Sequence, residues 1–308
     1  MAYTFPLSTN HSPSAQTHMA SSNSTISLAP INHKERYHNN EIYALPSDEE
    51  EANRLQLQHN LLRTIFDDRV VLAPLELTSG AEVLDIGTGK GSWALDFAAT
   101  YPNADKASLL CIDIGARLFP QYPPLNVAFQ LGDILKQNAQ EWENRFAFVH
   151  QRLLIFAFKY QQWNKVIRKI YTITAQELLE GNFLSHFVDC GPVTARAVQI
   201  SKALEKALGL DFLCSLRLEG LMKKHGFINV EVILRETPIG ASYGEMGTKV
   251  AEDVMGVFRG FKSPTLRLGG FGLVDDEEDY DNLMDQMELE WNQPGCKVGW
   301  YVAIGRKV

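Results

Sequence analysis

The chain has 308 residues, 45% of them hydrophobic, with 29 basic against 37 acidic side chains and a formal net charge of −8. That length and apolar content suffice for the core of one large domain, and the acidic balance leaves no electrostatic footprint for a phosphate backbone, which disfavours nucleic acid as a partner. No apolar stretch reaches the ~18 to 20 residues of a membrane helix, and no charged-then-apolar leader opens the sequence, so neither a membrane nor secretion is expected.

Residues 1–33 are rich in Ser, Thr, Asn and Pro without periodic hydrophobics and read as a flexible segment. From Ser47 to Phe66 the pattern is helical. Asp48, Glu49, Glu50 and Glu51 crowd its first turn, as the helix dipole prefers, and Leu55, Leu57, Leu61, Leu62 and Ile65 form its apolar face. The acidic run is therefore expected to cap the helix rather than to hold a metal. Cys111, Cys190, Cys214 and Cys296 are scattered with no C-x-x-C pair, which predicts reduced thiols in a cytoplasmic compartment and gives no zinc site.

Residues 82–91 read EVLDIGTGKG. Val83, Leu84 and Ile86 suit a buried parallel strand, and Gly87, Gly89 and Gly91 let the backbone turn tightly and approach a ligand. A helix follows, with Trp93, Ala94, Phe97 and Ala98 on one face. Dinucleotide sites use G-x-G-x-x-G to seat a pyrophosphate on the helix N-terminus. Here the third glycine comes one position early, which favours S-adenosylmethionine, a ligand without phosphate whose cationic end suits a nearby acid such as Asp85. The next apolar run ends in Asp113, roughly twenty residues on, where nucleotide-binding α/β units place a ribose-binding carboxylate. A third ends in Gly132-Asp133-Ile134, where a carboxylate could meet an adenine amino group beside an aliphatic cover. Three strands ending in acids, in order, outweigh the reading of each acid as a solvated loop residue.

Strands are expected near 82–86, 108–113, 127–130, 146–150, 183–189, 229–235 and 298–305. They predict an α/β fold, a doubly wound Rossmann-like sheet of seven strands with the last antiparallel, and a ligand site outside the strands' carboxyl ends. Lys223-Lys224-His225 reads as a helix C-terminus before Gly226. Residues 241–292 read as two helices around a glycine-rich loop. Met246, Met255, Phe258, Phe261, Leu266, Leu268, Phe271 and Leu273 there could line an apolar cavity, although helical apolar residues are more often core.

These features resemble class I S-adenosylmethionine-dependent methyltransferases, and more narrowly the fungal methyltransferases related to the secondary-metabolism regulator LaeA. The narrower likeness rests on RYHNNEIYALPSDEEEANRLQLQHNLL, in which Tyr37, His38, Tyr43, Leu45, Pro46, Asp48, Glu51, Arg54, Leu55 and His59 match the family's entry element, and on FAFVHQRLL with Trp163. The family's proline-glycine-glycine turn before the fifth strand is altered here, keeping only Gly181 and offering Asp189 where an acid is expected.

The resemblance implies an N-terminal helical lid over 34–80, a cofactor-binding core over 81–240, a helical substrate cap over 241–292 and a final strand over 293–308. It implies S-adenosylmethionine held by Tyr43, His59, Asp85, Gly87, Thr88, Gly89, Gly91, Asp113, Ile114, Asp133, Ile134 and Gln151, with no metal. The expected reaction is methyl transfer to an oxygen or nitrogen of a small specialised metabolite. His150 and Arg152 at the end of the fourth strand, then His186 on the fifth, are the candidates for base and orienter, with Tyr243 and Glu245 behind them. Each histidine is weighed against a structural role. The alternatives are a LaeA-like regulator working through protein partners in the nucleus, and a nicotinamide-dependent oxidoreductase, which the glycine spacing disfavours. The cap helices would serve a homodimer contact as readily as a pocket.

Overall fold

The computed structural model describes residues 48–174 and 179–307, with backbone alone over 179–186. The expected flexible segment, Tyr43 and the other entry-motif residues before Asp48 lie outside the described residues.

Helix α1 (Glu49–Ile65) starts at Asp48, whose side chain accepts the Glu51 N–H, so the acidic run does cap the helix. Strand β1 (Glu82–Ile86) leads through the glycine turn into α2 (Ser92–Thr100), followed by β2 (Ser108–Asp113), β3 (Val127–Leu131) and β4 (Phe148–Gln151). Helix α3 (Tyr160–Ile173) carries Trp163, Val166, Ile167, Ile170 and Ile173 as one buried stripe. After β5 (Leu179–Val188) come α4 (Pro192–Leu208), α5 (Ser215–Lys224) and β6 (Ile228–Pro238). Helices α6 (Gly244–Gly260), α7 (Lys262–Arg267) and α8 (Glu277–Trp291) then precede β7 (Lys297–Arg306). As expected, α5 ends at Lys224, and Gly226 takes the left-handed turn that follows.

The strands lie in the order β3-β2-β1-β4-β5-β7-β6, with β1 to β5 pairing parallel and β7 antiparallel to both of its neighbours. The α/β class read from the sequence is thus the class of the fold. Successive strand residues face opposite sides of the sheet. Val83, Leu109 and Phe148 pack with α1, α2, α6 and α8 on one face, while Leu84, Ile112 and Val149 pack with α3 and α5 on the other. Residues 241–292 accordingly build much of the first face: Val250, Val254, Tyr280, Met284 and Met287 are core, and the end of α6 reaches a cleft.

One expectation is corrected. Cys190 and Cys296 form a disulfide joining the exit of β5 to the entry of β7, whereas Cys111 and Cys214 are free and buried. The two bonded cysteines are 106 residues apart, and sequence spacing alone could not reveal that the antiparallel pairing of β5 with β7 brings them together. No helix among the described residues is long and apolar enough to cross a membrane.

Candidate functional site

The site is built where β1, β2 and β4 end. Gly87, Gly89 and Gly91 all take positive φ, and a Cβ at Gly91 would stand 2.5 Å from the Phe129 ring. Only glycine fits that position without displacing the ring. Beneath the turn, Ile112 of β2 accepts the N–H groups of Gly87 and Thr88 through its carbonyl. Asp113 closes the turn from the side: one carboxylate oxygen accepts the Gly89 N–H at 2.9 Å and the other accepts the Gly115 N–H at 3.0 Å. Burial pushes the Asp113 carboxyl upward, against those backbone donors. Two bonds leave further lone pairs on the carboxylate for a ligand's hydroxyls.

Asp85 sits deeper, on the face covered by α2. Thr88 donates its hydroxyl to one oxygen at 2.5 Å, and His150 Nδ1–H donates to the other at 2.7 Å. The His150 ring stacks on Trp93, 3.7 Å centroid to centroid and nearly parallel, and is 2% exposed. Burial holds its pKa below the usual histidine value despite Asp85, which keeps the ring neutral near pH 7. The next residue, Gln151, is fully buried, and neither end of its amide has a hydrogen-bond partner among the described residues. A buried amide in that state calls for a polar partner at the end of β4.

The third acid, Asp133, follows β3, accepts the Leu135 N–H at 2.9 Å and pairs with Lys136. Its neighbour Ile134 is buried in the core of the second face, whereas Ile114, after Asp113, stands 48% exposed. Lys169 of α3 pins this loop by donating to the carbonyls of Ile134, Leu135 and Gln137 at 2.5–2.9 Å. Sequence reasoning missed Lys169; its signal is a lysine three residues from Val166 on the edge of an otherwise apolar stripe.

Helix α1 lies against the glycine turn. Leu55 reaches to 3.3 Å of where a Gly89 Cβ would stand, and Gln56 accepts the Ser92 hydroxyl. His59 donates Nε2–H to Asp96 at 2.9 Å while its Nδ1 accepts from Arg152 at 3.1 Å, and Arg63 also pairs with Asp96. Burial and the Arg152 charge bring the His59 pKa down to about 4. Of the expected catalytic residues, His150 and Arg152 are thus engaged with Asp85 and His59. The His186 side chain lies outside the described residues, its backbone paired with Gly299. Tyr243 accepts the Gly295 N–H through its hydroxyl, and Glu245 is exposed and paired with Lys249. Among the described residues no group of His, Cys, Asp and Glu is arranged to hold a metal.

No family model matches the chain. It is 28% identical to N-methyltransferase sirN of Leptosphaeria maculans over 228 residues, covering 70% of this chain and 79% of that one. Over 278 residues it is 24% identical to N-methyltransferase gliN of Aspergillus fumigatus, covering 86% and 96%. The chain resembles the class I, LaeA-like fungal methyltransferases. A further methyltransferase, pytC of Aspergillus terreus, is 34% identical over 152 residues, but the match spans only 44% of pytC. The secondary metabolism regulator LAE1 of Hypocrea atroviridis is 28% identical over 145 residues, covering 47% of this chain and 39% of that protein. The glycine turn and the three acid-ended strands meet at one end of the sheet.

Proposed function

We propose that the protein is an S-adenosylmethionine-dependent methyltransferase acting on a nitrogen or oxygen of a small-molecule acceptor. Nitrogen is favoured by the likeness to the N-methyltransferases sirN and gliN. The observation that carries this reading is the glycine turn closed onto Asp113 at the ends of adjacent parallel strands. Asp113 would accept the ribose hydroxyls, Asp133 the adenine amino group, and the amide of Gln151 would meet the polar amino-acid end. Bound there, the cofactor supplies a methyl group on a sulfonium, ready for in-line displacement.

The chain's own contribution is to orient and to exclude water. His150 acts as a positioning residue, fixing the Asp85 carboxylate from behind while Trp93 holds the ring flat. Arg152 and His59 fasten α1 to the exit of β4, so the helix serves as a wall over the turn, the lid role expected of residues 34–80. The cap expected over 241–292 would be supplied by the end of α6, since the rest of α6 and α8 is packed in the core.

Calorimetric titration with S-adenosylhomocysteine and with NAD tests the reading. S-adenosylhomocysteine should bind, and Asp113→Ala should weaken it by about 1.5–3 kcal/mol, the loss of hydrogen bonds to a charged group. NAD binding in its place would overturn the assignment. Binding without turnover of any acceptor would favour the regulatory reading.

A further inference from the structure

An aromatic cleft opens beyond the carboxyl ends of β4 and β5. Strand β4 ends at Gln151, and the three-ten turn Leu154–Phe156 that follows has two sides: the Leu154 side chain lies against Gly87, and Phe156 forms a wall of the cleft. Opposite, Phe187 stands seven residues past Glu180, where the pairing of β5 with β4 ends. The turn Leu154–Phe156 thus links the cleft to the glycine turn. Its cavity volume is about 90 Å³ and it opens to solvent, so an occupant would extend out of the cleft.

Its wall is made of rings. Phe156 presents its edge to Phe212 at 4.8 Å and to Phe261 at 5.2 Å, and those two rings lie parallel within 8°. Such edge-and-face surfaces favour another π system over a flexible aliphatic chain. Polar atoms enter from α4. Glu205 accepts the Phe212 N–H at 2.7 Å through Oε1, which fixes the carboxylate at the cleft and leaves acceptor sites on it.

We propose that this cleft is the acceptor pocket and that it selects an aromatic molecule carrying an N–H or O–H, the ring set against Phe156, Phe212 and Phe261 and the donor on Glu205. The proposal rests on the methyltransferase reading and narrows its substrate class. Glu205 recognises the donor and sets specificity.

N-phenyl-1-naphthylamine, whose fluorescence rises in apolar surroundings and which has one N–H, tests this on the full chain, with 1-phenylnaphthalene as the ring system lacking the donor. Both should bind at one site. Ser201→Trp, or the milder Val198→Phe, should abolish both by filling the cleft, with S-adenosylhomocysteine binding unchanged as the check on folding. Glu205→Gln should weaken the amine about tenfold, a charge-assisted hydrogen bond, and leave the hydrocarbon unaffected. Unchanged amine binding in both filling variants would overturn the pocket assignment while leaving the methyltransferase reading intact. Equal effects of Glu205→Gln on both probes would overturn the donor's role. Failure of the unaltered chain to bind S-adenosylhomocysteine would instead sink the underlying function.

Discussion

Asp253 is fully buried on α6, and its carboxylate meets Arg54 at 2.8 Å and Gln58 at 3.1 Å, both from α1. Glu51 holds the other side of the same guanidinium at 2.6 Å. A Cβ at Gly256 would stand 2.6 Å from the Arg54 side chain, so that glycine is the space the arginine occupies. Removing one partner of a buried pair leaves an uncompensated charge, so Arg54→Ala should cost about 3–5 kcal/mol at pH 7, and Asp253→Asn added to it should recover part of the loss. Urea unfolding of the three proteins measures both. Lys169 makes a different case, because its three carbonyl acceptors shape the loop after Asp133. Lys169→Met should weaken S-adenosylhomocysteine several-fold, with little effect on the binding of N-phenyl-1-naphthylamine in the aromatic cleft. Equal weakening of both would mark a general loss of structure.

At the scale of elements, α1 is the helix whose attachment depends on pH. The His59 pKa is about 4 in the folded protein against about 6.5 unfolded, so below pH 6.5 the unfolded chain binds the extra proton and stability falls as pH drops from 6.5 to 4. Asp253 runs the other way. Burial raises its pKa to about 6, so the folded protein holds the extra proton between about pH 4 and 6, and stability falls as pH rises through that window. The two slopes oppose one another. Relative to the unaltered chain, Asp253→Asn should gain stability between pH 4 and 6, by up to about 3 kcal/mol, and His59→Gln should lose less on acidification. Urea midpoints taken across pH 4–7 would show this, and parallel curves for all three proteins would refute it. The helix itself was legible, because its cap and apolar face are local. Its clamps were not, since Arg54 and Asp253 are 199 residues apart and nothing in either neighbourhood names the other. The glycine turn was legible for the converse reason: three positive φ angles demand three glycines within five residues, and Asp113 follows at the end of the next strand. Ile134 shows the limit of such reading, since strand-end proximity does not say whether an aliphatic side chain faces a ligand or the core.

Across the whole molecule, the disulfide spans the junction between the two halves of the sheet. Cys190 leaves β5, the last strand of the parallel pairing, and Cys296 enters the antiparallel β7, so the bond closes a loop containing α4, α5, β6 and α6 to α8. The same junction is held without it. Glu290 of α8 accepts the N–H groups of Val193 and Thr194 and the Thr194 hydroxyl, which caps α4, and Trp291 donates to that hydroxyl. Because α4 carries Val198, Ser201 and Glu205 to the aromatic cleft, this junction also sets one wall of the proposed acceptor pocket. With the carboxylate cap in place, loss of the covalent link should act mainly through the unfolded chain, whose closed loop of about a hundred residues would be released. The expected cost is about 2–5 kcal/mol, with the native fold retained. Cys190→Ser with Cys296→Ser should therefore lower the urea midpoint while leaving binding of S-adenosylhomocysteine and of N-phenyl-1-naphthylamine unchanged, and dithiothreitol should bring the unaltered chain to the same midpoint. A chain indifferent to dithiothreitol and equal in stability to the double serine variant would show that the bond does not form, returning both cysteines to the reduced state that their spacing suggested. Loss of amine binding in a folded double variant would instead make the disulfide a support of the cleft.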